Sequence, residues 1–219
     1  MIISILKMVD EKIDFLKNSW VSFCCEKGVD EPLIFFDKLK NQHEVPKRFY
    51  HTFKGHVFHA ITVFNDFKRL SKNPDLTYFS LMCHDAVYDS LKTDNEEKSA
   101  VFAYNLAKDM GLVEDFAKNS HDLVLITKHV KKPVSVDEKL IVDVDLSILG
   151  ESKELFDKYV RNIRLEYINL PKEVYNPERV KVLKSFLKRE PLYNFPKFRE
   201  RFEINAKKNL LKSINSLNK

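Results

Sequence analysis

Phe79-Ser-Leu-Met-Cys-His-Asp-Ala-Val-Tyr88 is an apolar run interrupted by one histidine and one acid, His84 and Asp85. Extended back to Asp75, it reads as a strongly apolar helix over about 75–87. An aspartate inside such a helix is costly to bury without a compensating cation. Upstream, 56–70 carries Val57, Ile61, Phe64 and Phe67 as an apolar stripe, with His56 and His59 on the same helix. Downstream, Leu140 to Leu149 sets Asp143 and Asp145 among apolar residues. A divalent cation needs imidazole and carboxylate donors from different helices, because one helix offers only residues three or four apart. Histidines and acids in separate apolar segments are therefore expected to converge.

The rest of the sequence also reads as helix. Its 219 residues include only 4 Gly and 8 Pro, and 32% are charged, which suits helices with solvated faces better than a many-turned β fold. An all-α chain is expected, with 44% hydrophobic content enough for one domain over 1–219. A first helix over about 10–27 ends at Gly28, and Pro32 opens a second. Thr93 with Glu96 and Ser135 with Glu138 read as capping boxes. Gly111 closes one helix, 112–130 is mostly helical, 151–168 is amphipathic, Asn176-Pro177 caps a helix to Arg189, and Pro196 begins the last.

The 3 cysteines, Cys24, Cys25 and Cys83, suggest no disulfide framework and are read as buried thiols in a reducing compartment. No apolar run approaches the roughly 18 residues that span a bilayer, and Ile2–Leu6 is too short for a secretory segment. A cytoplasmic protein without a membrane partner is expected. The net charge of +5 is compatible with anionic small molecules or nucleic acid and selects neither. A second dyad, His121-Asp122, follows the polar Lys118-Asn-Ser and reads as a surface helix start. Tyr50, Tyr88 and Tyr167 could stack on a base, but aromatic residues at helical spacing are more often core, and they are assigned no site role.

An ordered series of segments resembles the predicted metal-dependent phosphohydrolases of the HD superfamily. It comprises Arg48-Phe-Tyr-His-Thr, His56-Val-Phe-His59, Cys83-His-Asp-Ala-Val-Tyr-Asp89, Asp94-Asn-Glu-Glu-Lys-Ser-Ala100, Thr127-Lys-His129 and Asp143-Val-Asp-Leu-Ser-Ile-Leu-Gly150. Further matches run through Tyr159–Tyr167, Arg179 with Val182-Leu183, and Asn209-Leu210. The resemblance implies an HD-domain helical bundle over about 48–150 with a helical extension over about 151–219. It implies a divalent metal (Mn, Fe, Co, Ni, Zn or Mg) on His56, His84, Asp85 and Asp145, the last chosen over Asp143 because Leu-Ser follows it. The family usually sets the Tyr-His-Thr histidine four residues before the ligand histidine. Here His51 and His56 are five apart, which points to an insertion near Gly55 and leaves His59 as an alternative ligand.

His51 resembles the leaving-group proton donor of cyclic-nucleotide phosphodiesterases, and Asp89 the acid after the dyad in alarmone hydrolases. A helix-entry residue and a cap are their plainer readings. Lys128, His129, Arg161 and Arg164 are the candidates for holding phosphate. Glu96 and Glu97 could approach the metal's water, although capping already gives Glu96 a role. The implied activity is hydrolysis of a phosphate ester or anhydride, with a nucleotide as the small-molecule partner. The alternative is an HD-fold regulator that binds nucleotide or nucleic acid without turnover.

Overall fold

The computed structural model describes residues 2–219, with side chains from residue 11 onward; the Ile2–Leu6 reading rests on side chains outside the described residues. There is no strand among the described residues, so the chain is all-α. It divides into two compact units, 1–141 and 142–219.

The first unit contains α1 (Ile2–Glu26), α2 (Pro32–His43), α3 (Phe58–Phe67), α4 (Pro74–Cys83), α5 (Asn95–Asp109) and α6 (Glu114–Leu125); α7 (Val136–Asp145) begins in it. Its centre is α4, where every residue from Leu76 to Cys83 is buried, so this helix has no wet face. It packs against α3, α5 and α6. Trp20 and Phe23 of α1 meet Phe79 of α4 at ring-centroid distances of 6.0 and 5.9 Å, and Phe116 of α6 lies 5.4 Å from the same ring. Burying this cluster fixes α4 and, with it, whatever follows its last turn.

Helices α1 and α5 end as the sequence indicates, at Gly28 and Gly111 with φ of 67° and 72°. Val29 and Leu112 then donate back to the carbonyls of Cys24 and Ala107, which closes the last turn. The Ser135 box also forms: Glu138 accepts the Ser135 amide at 2.8 Å while Ser135 Oγ accepts the Glu138 amide at 3.1 Å.

Other expectations need correction. Helix α4 stops at Cys83 rather than Val87, because Arg48 donates to the carbonyls of Asp85 and Ala86 at 2.8 and 2.9 Å, and Ser99 bonds both backbone groups of Val87 at 3.0 Å. The Thr93–Glu96 box is absent: α5 starts at Asn95, with Asp94 before it. Cys24 and Cys83 are buried but Cys25 is exposed. His121-Asp122 lies on the surface, yet within α6 rather than at its start. Helix α9 (Lys172–Leu187) begins before Asn176 and carries Pro177 in its interior.

His43, at the end of α2, is fully buried; its Nδ1–H donates to the Leu39 carbonyl at 3.0 Å and its ring lies 5.3 Å from Phe53. Burial pushes its pKa down to about 3, against the raising effect of the Leu39 bond. An unfolded histidine titrates near pH 6.5, so between about pH 6.5 and 3 the unfolded chain binds the extra proton. Stability is therefore full above 6.5 and falls as the pH drops through that window. His43→Phe is expected to flatten the acid limb of a urea-unfolding pH profile; an unchanged limb would assign the acid sensitivity to other groups.

The second unit contains α8 (Lys153–Glu166), α9, α10 (Pro196–Phe198) and α11 (Ile204–Leu217). Ser152 caps α8 by accepting the Leu155 amide, and α11 packs on α8 and α9. Tyr193, Phe198 and Phe202 form its aromatic core. No helix of the described residues is long and apolar enough to cross a membrane.

Candidate metal centre

Past the last turn of α4, the chain leaves the helix with His84 buried and Asp85 half-buried. His84 Nδ1–H donates to the Leu81 carbonyl at 2.7 Å, which leaves the lone pair on Nε2. That atom lies 2.8 Å from Nε2 of His56. Asp85 Oδ2 is 3.3 Å from His84 Nε2 and 3.2 Å from His56 Nε2. Donors about 2.1 Å from a transition metal lie roughly 3.0 Å apart in an octahedral site and ~3.4 Å apart in a tetrahedral one. The three donors thus already have the separations of adjacent ligands.

Between His51 and His56 the chain forms a π-helical turn, Phe53–Val57, ahead of α3; turns of this kind are the form a single-residue insertion in a helix takes. Gly55 suits the close packing there: a Cβ would lie 2.5 Å from Thr52 Oγ1 and 3.2 Å from the Tyr50 carbonyl, so a larger residue would have to displace the Thr52 side chain. The turn keeps His51 and His56 together, with ring centroids 5.7 Å apart. It is His56 that bonds His84, and His59 lies a turn further along α3.

Electrostatics favour an ionised Asp85. Burial alone would raise its carboxyl, but the imidazoles of His84, His51 and His56 outweigh burial and hold it well below the ordinary carboxylate range. Tyr50 sets the other side of His56, its hydroxyl 2.8 Å from Nδ1. Coordination of a cation through both Nε2 lone pairs requires His56 to carry its proton on Nδ1, where the Tyr50 oxygen can accept it. Tyr50→Phe is expected to weaken metal affinity about 10- to 100-fold in a competition titration with a chromophoric chelator, with the fold unchanged. Wild-type affinity would reduce Tyr50 to a packing residue.

Compared with models of known families, with curated proteins and with solved structures, the chain finds no match.

His51 stacks on Tyr88 with centroids 3.8 Å apart and planes inclined by 28°, and the Arg48 guanidinium ties its carbonyl, at 3.4 Å, to those of Asp85 and Ala86. Asp89 is exposed; its Oδ1 accepts the Leu91 amide at 3.0 Å and its backbone is bracketed by Asn95. Lys128 donates to the Thr93 carbonyl at 2.9 Å and pairs with Glu97. His129 follows in the left-handed conformation, φ 59°. In the second unit, Arg161 is exposed on α8 and Arg164 donates to the carbonyls of Tyr167 and Leu170, a structural clamp.

Two more residues belong to this neighbourhood: Tyr50, to which the sequence assigns no role, and Glu96, already a candidate for the metal's water. Tyr50 was indistinguishable from a core aromatic. Glu96, without a capping role, is half-buried, and burial together with the Asp85 charge raises its carboxyl above the ordinary range.

The Leu140–Leu149 segment is buried on both faces, as its pattern indicates. Asp143 is held by the N–H groups of Asn194 and Phe195. Its carboxylate accepts the Asn194 amide, the Asn194 side chain and the Phe195 amide, each at 2.8 Å, and burial raises its pKa to about 6. Asp145 ends α7, where its charge acts on Arg189.

Proposed function

We propose that this chain is a metal-dependent phosphohydrolase that cleaves a phosphate ester or anhydride, with a nucleotide as its substrate class. The observation that carries this reading is the convergence of His56 Nε2, His84 Nε2 and Asp85 Oδ2 at 2.8 to 3.3 Å, with the opposite nitrogen of each imidazole already bonded. A divalent cation held there would polarise a phosphoryl oxygen and bring the pKa of water from about 15.7 toward neutrality.

The protein's own groups would then manage protons. His51, fixed in orientation by Tyr88, is the proposed proton donor to the leaving oxygen. Glu96 is the carboxyl suited to receive the proton of the attacking water. Lys128 and His129 are retained as the candidates for phosphate, with Lys128 first having to exchange Glu97 for the substrate. Asp145 is carried as a further ligand on its Asp-Leu-Ser sequence; Asp143 is not, because both of its oxygens are taken by protein N–H groups. A reducing, cytoplasmic setting accords with the free thiols of Cys24, Cys25 and Cys83.

The test is metal analysis of the purified protein, together with release of phosphate from an aryl phosphate and a nucleotide panel under Mn, Mg, Co and Zn. Metal-dependent turnover of at least one of these substrates is expected. Binding of metal and nucleotide with no hydrolysis would favour a regulator instead.

A further inference from the structure

The second unit carries a pocket of about 150 Å³ where α8 hands over to α9, formed by residues the proposed hydrolysis does not use. Tyr167 and Leu170 line it from the connecting turn, and Val174, Tyr175 and Arg179 from the first turns of α9. Tyr175 and Arg179 are four residues apart and so share one helix face.

One wall is preset. Arg164 donates to the Tyr167 and Leu170 carbonyls, the latter at 2.9 Å, and its guanidinium lies 4.7 Å from the centroid of the Tyr175 ring. Tyr167 and Tyr175 are 5.6 Å apart. The turn is thus stapled with its aromatic faces already in position, which removes ordering cost from binding.

Arg179 is the unusual member. One of its N–H groups donates to the Tyr159 hydroxyl and its guanidinium lies 5.4 Å from that ring's centroid, but among the described residues no carboxylate pairs with it. Glu178, at the rim, pairs with Lys181 at 2.6 Å. A guanidinium presents five N–H donors in a planar fork, and this one meets an aromatic and aliphatic surface instead of a counter-ion. A cavity of about this volume accommodates a benzene-sized ring.

We propose that this pocket binds a small planar organic anion: a single ring bearing a carboxylate or phosphate, with the anionic group on Arg179 and the ring between the Tyr167–Tyr175 wall and Leu170 with Val174. Charge-assisted bonds to the fork supply the anchor, and the tyrosine faces select a flat body.

The test follows the tyrosine ring resonances of the full-length protein by NMR during titration with benzoate, phenyl phosphate, benzamide and inorganic phosphate. Benzoate or phenyl phosphate is expected to shift Tyr167 and Tyr175 saturably, with a Kd of about 1 mM or tighter, and the stronger of the two names the anionic group. Benzamide, which keeps the ring but not the charge, should bind at least about tenfold more weakly, a loss of 1.4 kcal/mol or more. Arg179→Gln should erase that difference. Val174→Trp, at an exposed position, should fill the pocket and abolish binding while leaving the Tyr193 core resonances in place. Equal shifts with benzamide and benzoate would overturn the proposal. So would inorganic phosphate binding as tightly as phenyl phosphate, undiminished binding in Val174→Trp, or shifts that vanish on adding a chelator, which would assign the ligand to a metal instead.

Discussion

His84→Ala and Asp85→Ala are each expected to abolish both divalent-metal binding and hydrolysis, whereas His121→Ala should leave both intact. The two His-Asp pairs are the same dipeptide in different surroundings. His84 is buried after a helix whose residues Leu76 to Cys83 are all buried and meets His56 at 2.8 Å, with Asp85 Oδ2 closing a triangle of donors. His121 and Asp122 form an exposed pair at 3.0 Å on one helix, the Asp122 side chain 76% exposed, and among the described residues they belong to no cluster of metal-ligating groups. Removing His84 takes away one ligand and the 2.8 Å contact of the buried His56 Nε2, so some thermal stability should be lost as well. Metal content by elemental analysis and phosphate release on the same preparations check the expectation. A full complement of metal in His84→Ala would remove this pair from the centre.

The second large effect is expected at His51. As a proton donor outside the ligand set, His51→Ala should keep near-normal metal content while turnover falls roughly 10²- to 10⁴-fold. The loss should shrink for substrates whose leaving group needs no proton, so an aryl phosphate with an acidic phenol should be affected least. The stack on Tyr88 at 3.8 Å and the Arg48 tie between the His51 carbonyl and the Asp85–Ala86 carbonyls hold the imidazole in place without giving it a ligand's position. If the metal is lost with His51, the residue ligates.

What the sequence made legible was what local pattern determines. The helical period, the glycines at positions 28 and 111 and the Ser135 box each depend on residues within a turn or two of one another, and each formed. The acid buried in an apolar run pointed to His84-Asp85 for the same reason. What stayed hidden depends on partners far along the chain. Helix α4 ends early because Arg48, 37 and 38 residues before Asp85 and Ala86, captures their carbonyls. Tyr50 looked like any core aromatic until its hydroxyl was found on His56. Glu96 matched a capping spacing that Asp94 and Asn95 displaced. Asp143 had its donors in the Asn194-Phe195 backbone, which no sequence spacing reveals.

The most direct measurement of the centre is electron-spin-echo spectroscopy of the protein loaded with one equivalent of Cu(II), which counts coordinated imidazoles through their remote nitrogens. A cation held by His56 and His84 through Nε2 gives the modulation of two imidazoles, falling to one in either His56→Gln or His84→Gln. Modulation from no imidazole, or a two-imidazole pattern unchanged in both variants, would contradict a metal centre built on this pair.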